Sequence, residues 1–434
     1  MTGRRHDRST FLPTLTRPVR AGIRTAGVLV ACASLAAGCG LIPGVSGGDG
    51  DGPITVMTWA PEDTNLTNKP GMPAFARAYA RWVNSHGGIN GRKLHVATCN
   101  ERNDSVSAAK CARRAVKENA VAVVGSYSQH ANSFFPILES AGIPFIGGYG
   151  ITDDEFTSPL SYPVNGGQPA LLAGLGQELA DDCGPVSLVR PDTIAGDELP
   201  VMLNAGLKAR GHTQADDVRA AEDATEFSTQ TRSALSGATR DPERTGCVLS
   251  ALGDRTGTFM DSFRRARAEY PDVRTGTVLG SVDQTVIDAS GGRSGPYEGS
   301  FITGWYPVET DPRWDGMKKV IREQAFTDTR IDPADAGVQT TWIAYTVLKA
   351  ALDKIGGGEV SPDTVRRTLD DGMEIDTGGL TPTLRWKFQD RLASIGFPRL
   401  VNTDVTLQVV REGRLVSARK GFLDMTKTLQ GADV

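Results

Sequence analysis

The chain has 434 residues, 39% of them hydrophobic, with 50 glycines, 24 prolines and a formal net charge of −4. Such a length suits two or three domains with sizeable cores, and the composition is ordinary for a globular α/β protein. The acidic balance, with no cluster of Lys and Arg, argues against a nucleic-acid partner, which would need its phosphates neutralised.

The N-terminus reads as an export signal. Arg4, Arg5, Arg8, Arg17, Arg20 and Arg24 precede an apolar run from Ala26 to Ala37 that ends in "LAAGC". The run is shorter than the roughly 20 residues a spanning helix needs. "LAAGC" is similar to a lipobox and places Cys39 as the lipidated residue; a plain secretory signal with an incidental cysteine is the other reading. Residues 1–38 carry six arginines and one aspartate, a net +5, so their removal takes the charge from −4 to −9. Residues 39–52, "CGLIPGVSGGDGDG", form a flexible tether.

From Ile54 short β-rich runs alternate with helical patterns. "ITVMTW" reads as a strand, and "GMPAFARAYARWVNSH" as a helix with Phe75, Tyr79, Trp82 and Val83 on one face. "KLHVATC" is a second strand, followed by a helix opened by Ser105; "AVAVVG", "ANSFFPILESAG" and "IPFIGG" continue the alternation. After "SYPVNGG" the pattern restarts: helix "ALLAGLGQELADD", strand "PVSLV", helix "ELPVMLNAGLKARG", a weaker strand "DDVRAA", then "CVLSAL" and "GTVLGS" with helices between. "SFITGWYP" is a further strand, helices follow near 312–325 and 333–355, and "VTLQVVREGRLVSARK" reads as a hairpin. This alternation demands parallel sheets covered by helices, hence two doubly wound α/β lobes.

Four cysteines remain in the exported body, an even number that indicates two disulfides rather than a metal site. Three pairings are possible. Cys99 ends the second strand and Cys111 lies in the next helix, while Cys183 and Cys247 start strands that are neighbours in a 2-1-3 order. The expected bridges are therefore Cys99–Cys111 and Cys183–Cys247.

The glycine-rich "HGGINGRKL" follows a helix and precedes a strand, the reverse of a phosphate cradle, so it reads as a helix stop. "GSYSQ" has the position of a nucleophile elbow but closes on Gln129 instead of glycine, and His130 has no evident carboxylate orienter. A ligand cleft suits the same places better, because ligands of open parallel sheets bind beyond the carboxyl ends of strands. In the first half those ends offer Trp59, Ser126, Tyr127, Ser128, Gln129, Tyr149 and Thr152. In the second they offer Asp192, Thr193, Asp254, Arg255 and Asp283.

"VNSHGGINGRKLHV", "SVSAAKCARRAVKENAVAVVGSYSQ" and "PILESAGIPFIG" together resemble the leucine/isoleucine/valine-binding branch of type I periplasmic binding proteins. The likeness is dense over 54–168 and looser, but co-linear, to the hairpin. It implies two lobes joined by three crossings, near 163–168, 299–305 and 382–390. Lobe 1 would comprise 53–165 with 302–385, and lobe 2 would comprise 166–301 with 386–430. It also implies a monomer without cofactor or metal, tethered by its lipid and serving ABC permease subunits. Carried over by position, Ser128, Gly150 and Thr152 hold a ligand α-carboxylate, and Asp283 lies nearest the place of the ammonium-binding acid. A sensor of the same fold is the second reading and a Ser-dependent hydrolase the third.

Overall fold

A computed structural model gives the fold; the structure describes residues 52–432 apart from Leu66 and Glu222. The export signal and Cys39 lie outside the described residues. Among those described, no helix is long and apolar enough to cross a membrane.

The first sheet contains β1 (Ile54–Ala60), β2 (Leu94–Asn100), β3 (Val123–Val124), β4 (Phe145–Ile146) and β5 (Ser161–Tyr162) in the order β2-β1-β3-β4-β5. All its pairings are parallel. Six of the seven β1 residues are buried, as a strand covered on both faces requires. The short β5, formed by the start of "SYPVNGG", was not expected from the sequence. Helix Gly71–Ser85 buries Phe75, Tyr79 and Val83 at i, i+4 and i+8, with Trp82 half-buried beside them. It ends where the glycines predict. Gly87, Gly88, Asn90 and Gly91 all have positive φ, and the His86 and Gly88 N–H groups donate to Val83 O. A Cβ on Gly88 would stand 2.1 Å from Arg92 O, so the reversal depends on glycine. Helix Ser105–Lys117 is capped by Asp104, whose carboxylate accepts from the Ser107 N–H at 2.8 Å; Ser105 is its first residue.

The second sheet contains β6 (Val186–Pro191), β7 (Asp216–Ala220), β8 (Cys247–Ser250), β9 (Arg274–Val278), β10 (Phe301–Gly304), β11 (Thr406–Arg411) and β12 (Arg414–Ser417). Its order is β12-β11-β10-β9-β8-β6-β7. The run β7-β6-β8-β9-β10 repeats the winding of the first sheet, and the antiparallel β11–β12 hairpin extends it past β10. Glu412 and Gly413, both with positive φ, make the hairpin turn. Cys247 is in register with Val186 on the neighbouring β6, which brings it to Cys183. Both expected disulfides, Cys99–Cys111 and Cys183–Cys247, are formed.

The chain passes between the lobes at segments tied to one another. The Asn165 amide donates to the Tyr306 hydroxyl at 2.9 Å, and the Asn402 amide donates to Val164 O at 3.0 Å. Thr406 Oγ1 donates to Tyr306 O at 2.7 Å. The third passage falls later than the expected 382–390. Trp386 still packs edge-on against Tyr162 of the first lobe, and Arg399 Nε donates to Ser161 O at 2.8 Å. The chain joins the second sheet only at Thr406. In the same way Phe301–Gly304 belongs to the second sheet, so the chain returns to the first lobe after Gly304.

Candidate ligand-binding cleft

The carboxyl ends of both sheets meet along one seam. From the first lobe come Tyr127, after β3, and Tyr149, after β4, with ring centroids 5.0 Å apart. Trp305, on the second passage, sets its ring 5.1 Å from Tyr149 and donates its indole N–H to Gly167 O. Above Tyr149, 5.6 Å from the ring centre, stands the ammonium of Lys69, in the loop after β1. From the second lobe, Gly280 after β9 meets the Tyr149 hydroxyl so closely that a Cβ there would lie 2.4 Å from the oxygen. Thr285 donates across the seam to Asp332.

The charges of the seam are unequal. Lys69, with a side chain 10% exposed, pairs with Asp335 at 3.5 Å. Burial works to lower its pKa, but its electrostatic interactions with Tyr149, Asp335, Asp254 and Tyr127 raise it, and the ammonium stays well above its usual value. Asp283 caps helix Gln284–Ala289 by accepting from the Val286 N–H. Burial, followed by the neighbouring Asp335 and Asp332, pushes its carboxyl up to about 6. Among the described residues, Asp254, Asp283 and Asp335 thus act with the Lys69 ammonium, and Asp332 acts on Asp283 beside them. Tyr149 is 5% exposed, and its buried hydroxyl has no hydrogen-bond partner among the described residues. A tyrosine hydroxyl can accept as well as donate, so it can meet an ammonium or an oxygen brought beside it. Among the described residues no cluster of His, Cys, Asp and Glu could hold a metal ion.

The other expected residues fall in several places. Gln129 is exposed and donates to the Tyr127 hydroxyl at 3.1 Å. Trp59 is fully buried in the core behind the sheet, 5.1 Å from Phe134 and 6.0 Å from Phe145. Its side chain therefore does not line the seam. Ser128, 4% exposed, gives its hydroxyl to Glu101 Oε2 at 3.0 Å and accepts the His130 backbone N–H. No imidazole takes its proton, so the pairing a serine hydrolase would need is not formed. Gly150 and Thr152 both donate to Glu155. Asp254 is exposed, while its charge is felt by Lys69, Tyr127 and Tyr149. Asp192 is exposed and faces Arg219 on β7 at 3.8 Å.

Residues 64–392 match the family model described as "Periplasmic binding protein". The chain belongs to that family. No curated protein matches it in sequence. Among solved structures, the binding protein is similar to a solute-binding protein of an ABC transporter from Rhodopseudomonas palustris HaA2, solved with p-hydroxybenzoic acid. The TM-score is 0.70 at 14% identity, over 88% of this chain and 100% of that one. It is also similar to a fatty acid ABC transporter substrate-binding protein from Thermomonospora curvata, with TM-score 0.68 at 13% identity over 88% and 96% of the two chains. A third is the leucine-binding protein LivK from Thermotoga maritima MSB8, with TM-score 0.66 at 14% identity over 86% and 99%. At these low identities the TM-scores show a shared fold of two α/β lobes.

Sequence reasoning missed Lys69, Trp305, Asp332, Asp335, Glu101 and Glu155. For Lys69 one signal was available: it lies in the loop that leaves the carboxyl end of β1, where ligands bind. The glutamates gave none, because each meets its partners only through the tertiary fold.

Proposed function

We propose that this periplasmic binding protein is an exported lipoprotein that captures a small polar solute, an amino acid or a related amine, and delivers it to an ABC importer. Both lobes would close over the solute, which shifts the open–closed equilibrium because it touches both. The observation that carries this reading is the seam itself: Tyr149, Lys69 and Asp335 face Gly280 and Asp283, with a buried hydroxyl left unpartnered. The excess of carboxylate favours a ligand with an ammonium group, and the rings of Tyr127, Tyr149 and Trp305 supply apolar and cation–π surface. Neighbours named for leucine, a fatty acid and p-hydroxybenzoic acid support a small organic solute and leave its class to the residues of this cleft.

A thermal-shift screen of amino acids, amides, amines and small carboxylates tests the reading. A bound solute stabilises the folded chain by RT ln(1 + [L]/Kd). If no small solute moves the melting temperature, the capture role is lost. Replacing Cys39 by Ser should release the protein from the membrane fraction; full retention would refute the lipid anchor.

A further inference from the structure

We infer that Glu155 permanently occupies the anion cradle of the first lobe, so that the cleft takes amines carrying no carboxylate at that end. This rests on the capture role proposed above and narrows its ligand class.

The turn after β4 is built to hold an oxyanion. Gly150 N–H donates to Glu155 Oε2 at 2.9 Å, Ile151 N–H to Oε1 at 3.1 Å and the Thr152 hydroxyl to Oε1 at 3.1 Å. These are donors an incoming carboxylate would need, and a carboxyl of the chain itself has taken them. Glu155 is 3% exposed, held by the short helix Asp154–Thr157. The fit is tight on its far side as well: a Cβ on Gly148 would lie 2.0 Å from Oε2, so the glycine makes the space. The second expected donor is also engaged. Ser128 gives its hydroxyl to Glu101, which further accepts the Asn103 N–H at 3.2 Å.

A ligand carboxylate would have to expel Glu155, a competitor tethered five residues from Gly150 and present at high effective concentration. Expulsion would strip the Glu155 carboxyl of three donors it holds in the folded protein, which costs free energy. Sharing the cradle would set two carboxyl groups against each other, which is also unfavourable. Across the seam the chemistry is open. The Tyr149 hydroxyl is buried and unpartnered, and the surrounding carboxylates outnumber the single ammonium of Lys69. An alkyl or arylalkyl amine, or an amino-acid amide, meets these demands; a free amino acid adds a carboxylate whose cradle donors are already taken.

Matched probes test this: phenethylamine against phenylalanine, isoamylamine against leucine, and putrescine against ornithine, each by thermal shift on the full chain. The expected result is at least tenfold weaker binding of the carboxylate-bearing member of each pair that binds. Equal or tighter binding of the amino acids would overturn the inference while leaving the capture role intact. A second measurement needs no natural ligand. In ¹⁵N spectra of the wild-type protein, the Gly150 and Ile151 amide signals should stay fixed during titration with acetate. In Glu155→Ala, whose cradle is vacant, they should move in a saturable way. Movement in the wild type, or none in a folded Glu155→Ala, refutes the occupied cradle. If Glu155→Ala does not fold, the wild-type titration alone still decides. If neither member of any pair binds, the amine class is overturned whatever the acetate result, while the capture role stands or falls with the wider solute screen.

Discussion

Lys69 and Asp335 offer a direct measure of how much the seam depends on its one ammonium. Their 3.5 Å separation corresponds to about 5 kcal/mol of gross attraction at an effective dielectric constant near 20. Desolvation of both groups offsets much of it, and Asp335 also caps helix Ala336–Ile355 through the Val338 N–H, a contact that asparagine preserves. Lys69→Met should therefore cost about 2–4 kcal/mol, since it leaves Asp335 facing Asp283 and Asp332 with no cation between them. Lys69→Met, Asp335→Asn and the double variant form a cycle. Urea unfolding at pH 7.5 in low salt should give a coupling of about 1–3 kcal/mol. If the single costs add within about 0.3 kcal/mol, the two groups are independent and Lys69 is not the counter-charge of the seam.

Burial pushes the carboxyls of Glu101 and Glu155 up to about 7 and that of Glu178 up to about 8, with Asp182 adding to the last. Each folded-state pKa exceeds the unfolded value near 4.3, so the native state binds these protons more readily. Stability should fall as pH rises through 7–8 and recover on returning to pH 5.5; Glu178→Gln should narrow that difference, and a curve flat over this range would contradict the burial of all three. Replacing the Cys183–Cys247 pair by alanines should cost about 4 kcal/mol and the Cys99–Cys111 pair about 3, since the cost grows with the logarithm of loop length, here 64 and 12 residues; calorimetry giving the reverse order would be contrary to the chain-entropy account. Tyr306→Phe strips the hydroxyl that receives the buried Asn165 amide and meets Thr340 Oγ1, so it should cost about 1–3 kcal/mol in urea; no loss would mean that the passages are not joined through this hub.

The fold was legible because alternation of strand and helix patterns is local, and so was the helix stop at Gly87–Gly91. The second-lobe disulfide followed from strand order alone. Trp59 was not legible in the same way. It is the penultimate residue of a strand buried on both faces, where period-two alternation cannot say which face looks to a cleft; packing against Phe134 and Phe145 decided it. Tyr127, Tyr149 and Asp283 could be named as candidates because two follow strands and one caps a helix at the edge where ligands of parallel sheets bind. Ser128, Gly150 and Thr152 were named for the same reason, yet their hydrogen bonds had gone to Glu101 and Glu155. Nothing in the sequence pattern says that Glu101 will meet Ser128, 27 positions away, or that Glu155 will turn back onto Gly150. The third passage came later than expected because Trp386 and Arg399 anchor the chain to Tyr162 and Ser161 first.

The central claim is capture by closure of the two lobes across the Tyr149–Asp283 seam. Small-angle scattering, with and without the solute that gives the largest thermal shift, tests it most directly. The radius of gyration should fall when the solute is added to the wild type, and it should not respond in Tyr149→Phe/Asp283→Asn. A solute that binds with no change in the radius of gyration, or that compacts the double variant equally, would contradict the account.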